Sequence, residues 1–209
     1  MTSLLIALVG VLLAPLLIGK WRASLLGLAC QGGLMAWIAY RLGVVPDSAT
    51  GLVTLADLAL VRGLFAPIAL WRVMGSGKAP TRNEVIPPNL LSWTLAFGLV
   101  LVGFNFARAM VPEGGEQRML VATATTALLL GFVVLSSQAG TFSLIVGALR
   151  FENAIALFEL GSQGHPSLSA QIGQSLVVIA TIFFYRWYLT RLGRADGPSE
   201  GATAEGPTL

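Results

Sequence analysis

Three polar residues stand close together in an otherwise apolar run. The stretch from Gly140 to Gly161 reads GTFSLIVGALRFENAIALFELG, with Arg150, Glu152 and Asn153 at its middle. An ionisable side chain at the centre of a bilayer costs roughly 2.5–3.5 kcal/mol on insertion scales unless it is paired or faces water. Such residues are rare in apolar helices, so these three are the first candidates for function.

A second pair of ionisable residues, Asp57 and Arg62, lies in another apolar run. Residues three or four apart meet on an α-helix. We therefore expect neither Asp57 with Arg62, five apart, nor Arg150 with Glu152, two apart, to share a face. At 1.5 Å per residue, Arg62 and Glu152 each lie about 15 Å from one end of their helices. We expect these two to interact across the bundle, directly or through water, and Asp57 and Arg150 to have partners on other helices or in neighbouring subunits.

The chemistry of these residues has two interpretations. A carboxylate such as Glu152 in a low-dielectric site can take up and release a proton near neutral pH, whereas an intramembrane Arg–Glu pair can also simply hold helices in register. Asn153 either carries hydrogen bonds onward along such a path or simply bonds across helices, and we favour the second, structural role. Glu159 follows Glu152 by seven residues on the same face, and is either the exit of an ion path or a solvated helix end.

The elements that carry these residues are apolar and long. Of the 209 residues, 55% are hydrophobic and 11% charged, with a mean hydropathy of +0.77, which excludes a soluble domain. A helix needs roughly 17–25 apolar residues to cross a bilayer. The sequence predicts an all-α membrane protein with seven such spans, at 3–19, 25–44, 52–73, 90–111, 119–138, 142–161 and 169–190.

These spans are predicted to form a single bundle over residues 1–194. The longest break, GSGKAPTRNEVIPPN, separates residues 1–88, with the first three spans, from residues 89–194, with the last four. Residues 195–209 are rich in Gly, Pro, Glu and Thr and are predicted to be disordered.

The distribution of lysine and arginine predicts the orientation. With the N-terminus outside, eight basic residues lie on the cytoplasmic side and three on the outer side, which favours an N-out, C-in protein. The eight are Lys20, Arg22, Arg72, Lys78, Arg82, Arg186, Arg191 and Arg194, and the three are Arg41, Arg108 and Arg118.

Cofactor and metal chemistry has little support in the sequence. Cys30 is the only cysteine and His165 the only histidine, so neither a metal site nor ligands for haem or iron–sulfur clusters can be assembled. The chain also has no phosphate-binding Gly-rich loop and no Gly-x-Ser-x-Gly motif. We therefore expect no cofactor, no metal and no catalysis by this chain alone.

The run from Gly147 to Leu157, GALRFENAIAL, resembles the Glu-Asn-containing helix of the hydrogenase-4 component E family. The C-terminal part of that family resembles the three-helix K subunit of bacterial complex I and the equivalent small subunit of multisubunit cation/proton antiporters. Further similarities are Ala29-Cys30-Gln31 and LVRGLFAP from Leu60 to Pro67, where the family typically has lysine in place of Arg62. The resemblance covers roughly residues 20–192, with the subunit K-like part at 119–192.

The resemblance implies a multi-pass subunit in the bacterial inner membrane, within the membrane arm of a hydrogenase-4-type or other complex I-like redox-driven pump. It would help to conduct protons or sodium ions. Glu152 would correspond to the carboxylate of the second K-subunit helix and Arg62 to the basic residue near it. The implied partners are antiporter-like large subunits, quinone- or hydrogenase-module subunits and the lipid bilayer, with no nucleic acid.

The chain also departs from the K-subunit pattern. K subunits carry a second carboxylate in their last helix, where this chain offers only Gln171 and Gln174, and Arg150 beside Glu152 is a further difference. Two alternatives therefore stay open: a purely structural membrane-arm subunit, and a small free-standing transporter. A transporter predicts an internal repeat, and the first three and last three spans show no convincing one.

Overall fold

A computed structural model of the chain describes residues 1–18, 20–75, 90–137, 141–161 and 167–195. Within these ranges the backbone is helical almost throughout and forms no strand. The α-helices are α1 (Thr2–Ile18), α2 (Trp21–Arg41), α3 (Ala49–Ala56), α4 (Ala66–Gly75), α5 (Leu90–Met110), α6 (Gly115–Ser137), α7 (Thr141–Gly161) and α8 (Leu168–Ala195).

The third predicted span is one continuous rod, but its middle is a π-helix. Between α3 and α4, residues Asp57–Phe65 form a π-helical segment, in which backbone hydrogen bonds join residues five apart. The N–H of Ala66 donates to the carbonyl of Val61, five residues back. Pro67 follows at once and has no N–H to donate to a carbonyl of the preceding turn. The π-helical segment ends at Phe65, two residues before the proline.

Glycines allow the helices to approach closely. A Cβ on Gly32 of α2 would lie only 2.5 Å from the Cα of Gly63 in the π-helical segment. In the antiparallel pair α6 and α7, a Cβ on Gly131 would lie 3.2 Å from the Cα of Phe151, and one on Gly147 would lie 3.1 Å from the Cα of Leu135. At these three positions the backbone of one helix packs directly against the backbone of its neighbour.

The described residues form seven helical rods at the positions of the seven predicted spans, and the all-α class is confirmed. Five of the rods are long and apolar enough to cross a membrane. Within the part of the chain that the structure describes, the first rod contributes a shorter apolar stretch, Thr2–Ala14. Those that qualify are Trp21–Arg41, Ala49–Val73, Leu90–Met110, Gly115–Ser136 and Leu168–Tyr188.

Several sequence predictions fall outside the described residues. These include most of the long break between the third and fourth spans, the loop that contains His165, and the predicted disordered tail beyond Ala195. The last helix itself continues to Ala195, one residue past the predicted end of the bundle.

Candidate functional site

Arg62 lies at the centre of a buried polar cluster. Its side chain is 1% exposed, and its Nε donates to Oδ2 of Asp57 at 2.6 Å. The prediction that Asp57 and Arg62 face different directions is therefore wrong. It assumed α-helical spacing, in which residues five apart point about 140° away from each other. The π-helical turn stacks residue 62 above residue 57 and so brings the two charges together.

The cluster joins the third rod to α7. Nη1 of Arg62 donates to Oδ1 of Asn153 at 3.0 Å, and Asn153 is 2% exposed. Asn153 thus bonds across helices, as predicted. We expected Glu152 rather than Asn153 to meet Arg62; no direct hydrogen bond or ion pair joins Glu152 to Arg62 in the described part of the chain. Glu152 is nevertheless in electrostatic interaction with both Arg62 and Asp57.

Four buried atoms of the cluster have no hydrogen-bond partner among the described residues. Two are acceptors, Oδ1 of Asp57 and Oε2 of Glu152, and two are donors, Nη2 of Arg62 and Nδ2 of Asn153. Leaving one such group unsatisfied costs about 1–3 kcal/mol. Water both donates and accepts, so it can satisfy atoms of both kinds in one site. The chemistry of the cluster therefore suits a hydrated charge site.

The backbone at Arg62 packs closely against α2, where Gly32 meets Gly63. A Cβ on Gly32 would also lie 2.9 Å from the carbonyl carbon of Arg62, so α2 packs directly on the residue that carries the guanidinium. Gln31, which precedes this crossing, is 1% exposed, and its Nε2 has no partner among the described residues. Sequence reasoning did not include Gln31 among the site residues, although a polar side chain within an apolar run was the available signal.

Arg150 belongs to a different contact. It is 4% exposed, and its Nη2 donates to the backbone oxygen of Ser24 at 3.1 Å and lies 3.4 Å from the Ser24 hydroxyl. The expectation that its partner lies on another helix is confirmed, since Ser24 belongs to α2. Arg150 therefore ties the first half of α7 to the beginning of α2, and no described ion pair joins it to Glu152.

Glu159 also lies apart from the cluster. Its Oε2 accepts a hydrogen bond from Nε2 of Gln174 at 3.0 Å, which links α7 to α8. Seven residues of helix place it about 10 Å from Glu152 along the axis. Gln171 precedes Gln174 by three residues on α8. Its Oε1 has no hydrogen-bond partner among the described residues.

The residues that the structure describes contain no group of three or more His, Cys, Asp or Glu side chains able to hold a metal ion. The cluster around Arg62 has only two carboxylates, and the one oxygen of Asn153 already accepts from the guanidinium. Its chemistry is therefore that of charges and hydrogen bonds.

Comparison with known proteins finds a relative that matches most of the chain. The chain is 30% identical over 198 residues to the uncharacterized protein Rv0085 of Mycobacterium tuberculosis (strain ATCC 25618 / H37Rv), across 91% of this chain and 89% of that protein. No family model and no solved structure matches the chain.

Proposed function

The chain belongs to the same family as protein Rv0085 of Mycobacterium tuberculosis, and we propose that it is a membrane-arm subunit of a hydrogenase-4-type or other complex I-like redox-driven ion pump. In this proposal all seven rods cross the bacterial inner membrane, with the N-terminus outside. The part from α6 to α8 takes the place of the K subunit. The role of the chain is to help carry protons, or sodium ions, through the membrane arm.

One observation carries the proposal. A permanently charged guanidinium, Arg62, is buried between Asp57 on its own rod and Asn153 on α7, and it interacts electrostatically with Glu152. Burying charges in this way is costly unless they are paired, and intramembrane ionisable residues of this kind commonly mark ion pathways.

In the proposed mechanism Glu152 takes up a proton through water and releases it toward a neighbouring subunit. Arg62 interacts electrostatically with Glu152, so a movement of Arg62 changes the electrostatic environment of the Glu152 carboxylate. Asp57 competes for the same guanidinium. Movement of the third rod would thereby be coupled to proton uptake on α7. The partners in this proposal are antiporter-like large subunits packed along the bundle.

The structural alternative is favoured by a different observation. Arg62 and Arg150 each tie α7 to another rod, through Asn153 and Ser24. Contacts of this kind can hold a bundle in register with no conduction, and a subunit of that type would be needed for assembly alone.

Substitution of Glu152 separates the two functions. We expect Glu152→Gln to leave the complex assembled, as judged by native gel electrophoresis, and to lower redox-driven proton uptake into inverted membrane vesicles by at least about tenfold. Glu159→Gln is the matched control on the same helix, and it should retain uptake. Wild-type pumping by an assembled Glu152→Gln complex would favour the structural role. Repeating the measurement with sodium replaced by potassium identifies the ion.

The proposed assembly has its own test. Purification of the tagged full-length chain in mild detergent should bring down hydrogenase-like or quinone-module subunits together with antiporter-like membrane subunits. A chain that purifies alone and transports a solute in vesicles would instead be the free-standing transporter.

A further inference from the structure

The two ends of the bundle differ sharply in charge. At the end where α2 begins and α4 ends, the described charged side chains are all basic. Trp21, Leu25, Leu70 and Tyr185 belong to one packed cluster, so α8 contributes to the same end. We define the basic face as four exposed basic side chains at this end, Lys20, Arg22, Arg72 and Arg191.

The opposite end is electrically mixed. There α2 and α5 end and α3 and α6 begin. Here the described basic residues Arg41, Arg108 and Arg118 are accompanied by acidic residues, namely Asp47, Glu113 and Glu116. The remaining described carboxylates belong to the middle of the rods or to the last turns of α7, so none lies at the basic face.

Tryptophan side chains hold two of these arginines. The guanidinium carbon of Arg22 lies 5.7 Å from the centre of the Trp71 ring, and that of Arg191 lies 5.1 Å from the Trp187 ring. Both rings are about half exposed, at 50% and 51%, and tryptophan is typical of the headgroup level of a membrane. A guanidinium against a ring face keeps its N–H groups at the edge of the plane, where they can bind a phosphate in bidentate fashion.

The basic face lacks internal neutralisation in the described part of the chain. Among the described residues, the N-terminal amine pairs with Glu116 and Arg62 pairs with Asp57. Neither includes a residue of the basic face. Several cations at one end, beside half-exposed indole rings and with no carboxylate among the described residues of that end, match the charge of an anionic lipid surface.

We propose that the basic face binds the phosphate groups of anionic phospholipids, between α2, α4 and α8. This inference needs the chain to lie in a membrane but does not depend on ion pumping. In the orientation proposed above, the bound lipids belong to the cytoplasmic leaflet.

The test uses the purified full-length protein in detergent, with phosphatidylglycerol or phosphatidylcholine added, and native mass spectrometry as the readout. Wild-type protein should retain phosphatidylglycerol in preference to phosphatidylcholine. The double variant Arg22→Gln/Arg72→Gln should bind phosphatidylglycerol about 25-fold more weakly, since each basic residue near an anionic surface contributes about a factor of five. Circular dichroism checks that the variant keeps its helices.

The matched control is Arg41→Gln/Arg108→Gln, which removes two exposed arginines from the other end and should leave binding unchanged. If the first double variant does not fold, Lys20→Gln, which alters a residue outside the helices, should still weaken binding about fivefold. Equal losses in both double variants would overturn the proposal. Displacement of the lipid by inorganic phosphate would also overturn it, because the site would then take a soluble phosphate.

Discussion

Arg62 is the least exposed charged side chain in the described part of the chain. An arginine does not lose its proton in a protein, so this side chain carries a full positive charge at 1% exposure. Asp57 supplies the counterion and Asn153 a further acceptor. Removing one partner of a buried pair costs about 3–5 kcal/mol, because the other charge stays buried alone.

The Asp57–Arg62 contact predicts strong coupling between the two residues. Asp57→Asn and Arg62→Gln should each lower the free energy of unfolding, measured by titration with SDS in mixed micelles, by about 3–5 kcal/mol. The double variant should lose less than the sum of the two, with a coupling energy of about 0.5–3 kcal/mol.

A matched cycle on Asp57→Asn with Glu159→Gln should be additive, because Glu159 bonds to Gln174 on a different helix. Additive losses in the Asp57/Arg62 cycle would mean that residues 57–65 do not bring the two side chains together.

We expect substitution of Asn153 to lower the free energy of unfolding, and substitution of an exposed asparagine to leave it unchanged. Asn153→Leu leaves Nη1 of Arg62 without its acceptor, and a hydrogen bond to a charged group contributes about 1.5–3 kcal/mol. We expect a loss of that size in the same SDS titration. Asn105 on α5 is exposed, and Asn105→Leu should cause no loss. Equal effects would show that the Asn153 contact contributes little.

For single residues, the sequence predicted which side chains form buried polar contacts but only some of their partners. Arg62 and Asn153 stood out because apolar runs rarely contain such residues. The Asp57 contact was missed because the spacing rule assumed an α-helix, although Pro67 five residues after Arg62 was a visible sign of an interrupted ladder. The Ser24 contact of Arg150 could not be predicted, since every residue carries a backbone oxygen.

Among the helices, the sequence predicted position well and internal geometry poorly. The apolar runs placed each described rod to within a few residues, with the largest difference at the end of α8, Ala195 against a predicted 190. Apolar runs end where charged and turn-forming residues begin, and this signal is local. The π-helical segment packs against α2 and α8 and bonds to Asn153 of α7. Pro67 indicated an interruption in the sequence, but it did not specify a wide turn at residues 57–65.

At the crossing of α2 with the third rod, alanine substitution of two adjacent glycines should change the stability of the protein very differently. A Cβ on Gly32 would meet the backbone of Gly63 at 2.5 Å, whereas one on Gly33 would meet nothing within 4 Å. Gly32→Ala should therefore be destabilising by about 1–3 kcal/mol through overpacking.

Gly33→Ala should be neutral or stabilising by up to about 1 kcal/mol, because alanine is the better helix former. Thermal unfolding of both variants in detergent gives the comparison. Similar melting temperatures for the two would argue against the close crossing.

For the molecule as a whole, the charge distribution predicts the orientation. The basic face should lie in the cytoplasm and the mixed end outside. In a Cys30→Ser background, Glu113→Cys should react with a membrane-impermeant maleimide in intact cells. Lys20→Cys should react only after the membrane is permeabilised. The reverse pattern would place the N-terminus inside.

The π-helical segment also bears on how the length of the third rod can change. An added residue in an α-helix turns everything after it by about 100°, which would carry α4 away from its packing against α2 and α8. A wide turn absorbs extra residues while the faces of α3 and α4 stay in place. A homologue with a one-residue deletion between positions 57 and 65 could therefore keep the same bundle and yet lack the acid–arginine contact, so gaps in this short interval identify relatives that have lost the pairing.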